Sequence, residues 1–165
     1  SDISREIAAA IGVAAERVSG PIRLVGHSAG GHLVSRMMCD DNLLSASSKE
    51  RLEKIVSVSG IHDLRPLLLS DMNATLHLTE DEAQQESPAL HSPHNDVPIT
   101  FWVGAAERPE LIRQTRLIAE AWEGRNAAVT DIYEPGKNHF SVIESLSDAQ
   151  SPLVQELLAQ ERPLT

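Results

Sequence analysis

Ile22-Arg-Leu-Val-Gly26-His27-Ser28-Ala29-Gly30-Gly31-His32-Leu33 is the stretch on which the reading of this chain turns. A short apolar run (Ile22, Leu24, Val25) breaks into Gly-x-Ser-x-Gly, and apolar residues return at helical spacing at Ala29, Leu33 and Met37. Strand, sharp turn and helix in that order make the setting of a nucleophile elbow, in which a serine at strained backbone angles is lifted above the sheet edge. Strand and helix pass closely at such a turn, so small residues are needed on either side of the serine, and Gly26 and Gly30 meet that need. The same geometry aims the N–H of Ala29 at the place where a substrate oxyanion would form, and the helix start adds positive potential there. The competing reading makes Ser28 only a helix cap.

Outward from the elbow, the chain alternates between strand-like and helix-like patterns. Ile3, Ile7, Ile11, Ala14 and Val18 predict an amphipathic helix over residues 1–17, weakened at Gly12 and stopped by Ser19-Gly20-Pro21. The strand at 22–25 has polar character only at Arg23 and reads as buried on both faces, and the elbow helix is expected to run to Met38. Further strands are predicted at 55–59, 99–103 and 127–133. Pro109 opens a helix to Glu123 with Leu111, Thr115, Ile118, Ala119 and Trp122 inward and Gly124 as its stop. A short helix follows His139, and a last one starts at Ser151-Pro152.

From 61 to 98 there is no strand, only two short helix candidates, one after Asp63 and one opened by the capping box Thr79-Glu80-Asp81-Glu82. An excursion of that length between strands shapes a binding site or a lid. The whole pattern predicts an α/β fold, a mostly parallel sheet flanked by helices, in one domain covering residues 1–165.

The formal charge of −10, with its basic residues scattered, argues against nucleic-acid and anionic-membrane partners and leaves a small-molecule substrate. No apolar run approaches the ~18 residues of a membrane span. The single cysteine, Cys39, excludes an internal disulfide, reads as a small buried hydrophobe and makes the cytoplasm the default location.

A serine hydroxyl needs a base, and a histidine oriented by a carboxylate is the usual one. Among seven histidines, His139 stands in the loop just beyond the last strand, at the sheet edge where catalytic groups gather in α/β proteins. The acid should follow the preceding strand, where Glu107 stands, with Glu110 and Asp131 as weaker rivals. Glu107 could equally be a helix-start carboxylate, and His139 a loop or capping residue. His27 and His32, His62 with Asp63, and His91 with His94 lack metal-ligand spacing, so neither metal nor cofactor is expected.

With Ser28, Glu107 and His139 in that order, the chain resembles the α/β-hydrolases. Val58-Ser-Gly-Ile-His-Asp-Leu-Arg-Pro-Leu67, Leu78-Thr-Glu-Asp-Glu-Ala83 with Ser87-Pro88, Val103-Gly-Ala-Ala-Glu-Arg-Pro-Glu-Leu-Ile-Arg-Gln-Thr115 and Asn138-His-Phe140 resemble the kynurenine formamidase (arylformamidase) family, a group related to hormone-sensitive-lipase-like esterases. The resemblance runs from Ile22 to Leu146. It implies hydrolysis of an aryl formamide such as N-formylkynurenine, with Ser28 as nucleophile, His139 as proton shuttle, Glu107 as its orienting acid and Ala29 N–H in the oxyanion hole. General carboxylesterase or thioesterase activity is the alternative on the same scaffold, and a noncatalytic binding module is a further one.

Two departures stand out. Family members often carry aspartate as the acid, and Glu107 is one methylene longer. In this fold a second oxyanion donor comes from a His-Gly-Gly-type loop after an earlier strand, and no such segment precedes Ser1. The resemblance therefore covers only the C-terminal part of a hydrolase, lacking the N-terminal strands. The expectation is a fragment whose open sheet edge pairs with the missing segment or with a second copy.

Overall fold

A computed structural model of the chain describes residues 1–94, 97–125 and 128–159. In chain order it contains α1 (Asp2–Arg17), β1 (Ile22–His27), α2 (Ala29–Arg36), α3 (Ala46–Arg51), β2 (Leu52–Val58), α4 (Asn73–Leu76), α5 (Glu80–Gln85), β3 (Ile99–Gly104), α6 (Pro109–Trp122), β4 (Val129–Glu134), α7 (Ser141–Glu144) and α8 (Pro152–Leu158). Three-ten turns at Arg65–Leu69 and Pro88–Leu90 complete the excursion between β2 and β3.

The strands form one parallel sheet in the order β1-β2-β3-β4. His27 stands beside Val58, Val58 beside Trp102, and Gly104 beside Glu134. That register brings the C-terminal ends of all four strands to one edge, and the loops leaving this edge carry Ser28, Ser59, Glu107 and His139. β2 and β3 are almost continuously buried because helices cover both faces. On one face Ile55, Ile99 and Phe101 pack with Met38, Ile118 and Trp122. On the other, Val56, Val58 and Trp102 meet Val142 and Leu153.

Several expectations are corrected. β1 is half-exposed, not buried on both faces, since it lies at the end of the sheet with β2 its only partner among the described residues. It also continues through Gly26 and His27, which pair with Ser57 and Val58. α1 runs unbroken through Gly12. α2 ends at Arg36, short of Met38, and β2 begins at Leu52, three positions before the apolar run that marked it. The expected start of β4 at Ala127 lies outside the described residues.

α6 buries Gln114, a residue that the apolar stripe does not include. Its Oε1 accepts from the backbone N–H groups of His62 and Asp63 at 2.9 and 2.8 Å, and its Nε2 donates to the Asp63 carbonyl at 3.0 Å. One side chain thereby ties the start of the excursion to the sheet's flanking helix. The capping box at Thr79 is present in full, and α8 is capped by Ser151 with Pro152 following. α4 was without a sequence signal: it is a single turn, ended by His77 at φ 52°.

Candidate active site

Ser28 sits at φ 57°, ψ −116°, between β1 and α2. Such angles are costly for a residue with a side chain and persist only where the surroundings enforce them. Here the Ser28 N–H donates to the Val58 carbonyl at 2.9 Å, and the Ser28 carbonyl accepts from His32 N–H at 3.1 Å. A Cβ on Gly26 would lie 2.9 Å from Gly31 N and closer still to the Gly30 carbonyl, and one on Gly31 would lie 2.8 Å from Gly60 Cα. Gly30 has open space around it. The steric requirement therefore falls on Gly26 and Gly31, not on Gly30. The hydroxyl makes no capping bond to α2.

That hydroxyl lies 3.1 Å from His139 Nε2. Pro135-Gly136, with Gly136 at φ 74°, turns the chain after β4. Asn138 Oδ1 then accepts from Phe140 and Ser141 N–H at 3.0 Å each, which starts α7 and leaves His139 projecting from the turn. His27 buttresses it: Nε2 of His27 donates to the His139 carbonyl at 2.8 Å, with ring centroids 4.6 Å apart. Burial, and then the positive charge that His139 can carry, lower the pKa of His27, so it serves as a neutral donor.

His139 Nδ1 lies 2.9 Å from Glu107 Oε2. A carboxylate only accepts, so Nδ1 carries the proton and Nε2 is left to accept from the Ser28 hydroxyl. The Glu107 side chain is wholly buried. Its other oxygen, Oε1, accepts from Gly104 N–H at 3.0 Å and from the Ser59 hydroxyl at 2.5 Å. The loops that carry Glu107 and His139 are joined directly, with Ala106 N–H on the Lys137 carbonyl at 2.9 Å. A Cβ on Gly104 would come within 2.7 Å of Lys137 C, so this approach requires glycine.

The rival residues are engaged elsewhere. Glu110 binds Arg113 and Gln114, Asp131 is exposed on β4, and Asp63 holds Arg65, whose hydrogen bonds lower the Asp63 pKa. His32 donates to the Glu86 carbonyl at 2.6 Å. His62 is fully buried with its ring edge against Phe101, 5.1 Å between centroids, and burial pushes it down to about 3. Its Nδ1 has no hydrogen-bond partner among the described residues. Burial raises the Cys39 thiol to about 12, which leaves it inert as a nucleophile. Among the described residues Asp40, Asp41 and His91 alone are close enough to share a cation, and both acids are exposed. His94 is not part of that group.

Ala29, at the first position of α2, is exposed, and its N–H belongs to the first-turn donors that have no acceptor within the helix. Beside it opens an apolar cavity of about 300 Å³ walled by Leu33, Ile61, Leu64, Met72 and Leu76. Its walls are α2, the excursion after β2 and, at Ser1 and Ile3, the start of α1. The edge therefore combines a serine hydroxyl facing an imidazole acceptor, a backbone donor and an apolar recess, the parts needed for nucleophilic attack on a carbonyl. Sequence reasoning missed Ser59, Gln114 and the buttressing by His27. The Ser-Gly pair that follows β2 was the only local trace of Ser59.

No protein-family model matches the chain. A kynurenine formamidase from Salmo salar is 32% identical over 149 residues, covering 86% of this chain and 49% of that protein. The chain thus spans about half the length of the curated relatives it matches. A provisionally named thioesterase from Silicibacter sp. is 39% identical with a TM-score of 0.89, covering 96% of this chain and 58% of that one. A truncated carbohydrate esterase from gut microbiota, 16% identical with a TM-score of 0.65 over 96% of this chain and 68% of its own, shares the fold. With its parallel sheet and its sharp strand-to-helix turn at Ser28, the chain has the fold of α/β-hydrolase-type esterases and is similar over most of its length to kynurenine formamidases.

Proposed function

We propose that Ser28, His139 and Glu107 act as nucleophile, base and orienting acid of a serine hydrolase whose substrate is an aryl formamide of the N-formylkynurenine type. The observation that carries the reading is the unbroken hydrogen-bond chain from the Ser28 hydroxyl through His139 to Glu107. The name of the relatives from Salmo salar and Danio rerio supports the substrate class.

In this mechanism Ser28 Oγ attacks the formyl carbon while His139 Nε2 takes its proton, and the negative oxygen forms against Ala29 N–H. Glu107 stabilises the imidazolium without taking the proton. The intermediate collapses as His139 protonates the aniline nitrogen, which leaves as the amine. Water, deprotonated by His139, then attacks the formyl-serine, and formate departs with Ser28 restored. No metal or cofactor is required. The buried Cys39 is in keeping with a reducing, cytoplasmic setting for this step of tryptophan breakdown.

A second reading, hydrolysis of a thioester or ester, is favoured by the 39% identical thioesterase-named relative and by the apolar recess next to Ala29. Formate release from N-formylkynurenine, compared with hydrolysis of short acyl thioesters and p-nitrophenyl esters, separates the two. Formate release that Ser28→Ala abolishes supports the formamidase reading. Turnover of thioesters alone replaces it, and turnover that Ser28→Ala leaves unchanged rejects both.

A further inference from the structure

We infer that Ser59 is a positioning residue that sets the rotation of the Glu107 carboxylate and so the aim of His139. The inference rests on the catalytic roles proposed above. Ser59 follows the last residue of β2, is wholly buried and stands at φ 50°, a conformation that a residue with a Cβ rarely adopts. Glycine would take that angle freely, and Gly60 is the next residue. A side chain retained at a strained position calls for a job that the side chain performs.

Its contacts supply one. The Ser59 N–H donates to the Trp102 carbonyl at 2.6 Å, tying the turn to β3, while the preceding Val58 carbonyl accepts the Ser28 N–H. The Ser59 hydroxyl donates to Glu107 Oε1. One dipeptide thus touches the elbow, the neighbouring strand and the acid.

The longer acid gives this bond its importance. A glutamate has one more rotatable bond than an aspartate, and its terminal torsion is soft. Two donors on Oε1, Ser59 O–H and Gly104 N–H, remove that freedom and leave Oε2 facing His139 Nδ1. With Ser59 Oγ gone, Gly104 N–H is the one remaining hydrogen-bond donor to Oε1 among the described residues. The carboxylate can then turn away from the imidazole.

The test compares the parent with Ser59→Ala, Ser59→Gly and Ser28→Ala. The rate of covalent modification by a fluorophosphonate reads the reactivity of Ser28, and the downfield proton resonance of His139 Nδ1–H reads the acid–base bond. Ser59→Gly suits the backbone angle, so it keeps the test open if Ser59→Ala fails to fold. The expected result is labelling of the parent that Ser28→Ala abolishes. Labelling should be roughly ten- to a hundredfold slower in the folded Ser59 variants, the scale of loss from a misplaced catalytic group. Their Nδ1–H resonance should move upfield or broaden. Parent-like labelling and resonance in Ser59→Gly would overturn the positioning role alone and make Ser59 a turn residue. A parent whose labelling does not depend on Ser28 would sink the catalytic reading, and the positioning role with it.

Discussion

Glu107 shows how a single methylene changes what its neighbours must do. Its carboxylate reaches His139 from a fully buried position, and both oxygens are bonded. Glu107→Asp withdraws the carboxylate by about one C–C bond length, ~1.5 Å, so it cannot hold Ser59, Gly104 and His139 together. If Glu107 orients the base, kcat should fall about a hundredfold with KM nearly unchanged, because the lost interaction matters most when the imidazolium forms. Steady-state kinetics on the preferred substrate check this, and a change confined to KM would count against the role. The candidates themselves were legible, since Ser28, Glu107 and His139 each follow a recognisable strand. Ser59 was not, because its partner lies 48 positions away and the Ser-Gly pair after β2 does not point to it.

At the scale of the element, the elbow obeys tighter rules than its five-residue motif states. The motif's second glycine, Gly30, touches nothing where a Cβ would stand, while Gly26 and Gly31 press on backbone. Gly26→Ala should therefore prevent folding or cost more than about 3 kcal/mol, the range of severe overpacking. Gly30→Ala should leave stability unchanged or raise it by up to about 1 kcal/mol, since alanine is the better helix former. Urea unfolding midpoints decide between this ordering and the equal demand on both glycines that the motif alone implies. In the excursion, Thr79 and Glu82 cap α5 reciprocally. Thr79→Ala should cost about 1 kcal/mol and loosen the segment beside the apolar recess, seen as faster amide exchange over α5.

For the whole molecule, the buried histidines make stability depend on pH. His62 is held down to about 3 by burial, and His27 and His32 are also lowered, again mainly by burial. An unfolded chain binds these protons near pH 6.5 while the folded one does not, so stability is complete above that value and is lost as pH falls below it. His62 alone should contribute a loss of about 1.4 kcal/mol for each pH unit below 6.5 until its folded pKa is approached. Asp41, Asp63 and Glu156, whose folded pKa values are lowered, add to the loss only further down, as carboxylates begin to protonate. Urea midpoints at pH 7.5 and 5.5 should thus differ in the parent, and His62→Gln should flatten the difference. Equal slopes in both proteins would show that His62 is not buried as a neutral ring.

The sequence by itself determined the order of strands and helices, the elbow, the caps at Thr79 and Ser151 and the resemblance to kynurenine formamidases. These are written in spacing, in glycine and proline placement and in short motifs, which act between residues close along the chain. Only the tertiary structure decided that β1 has β2 as its one partner among the described residues, that Gly31 and not Gly30 bears the close packing, that Gln114 anchors the excursion and that Ser59 and Gly104 hold the Glu107 carboxylate. Each of these depends on residues far apart in sequence meeting at the sheet's C-terminal edge. No local pattern records such a meeting, because the register of a parallel sheet is set by packing across its faces rather than by any one strand.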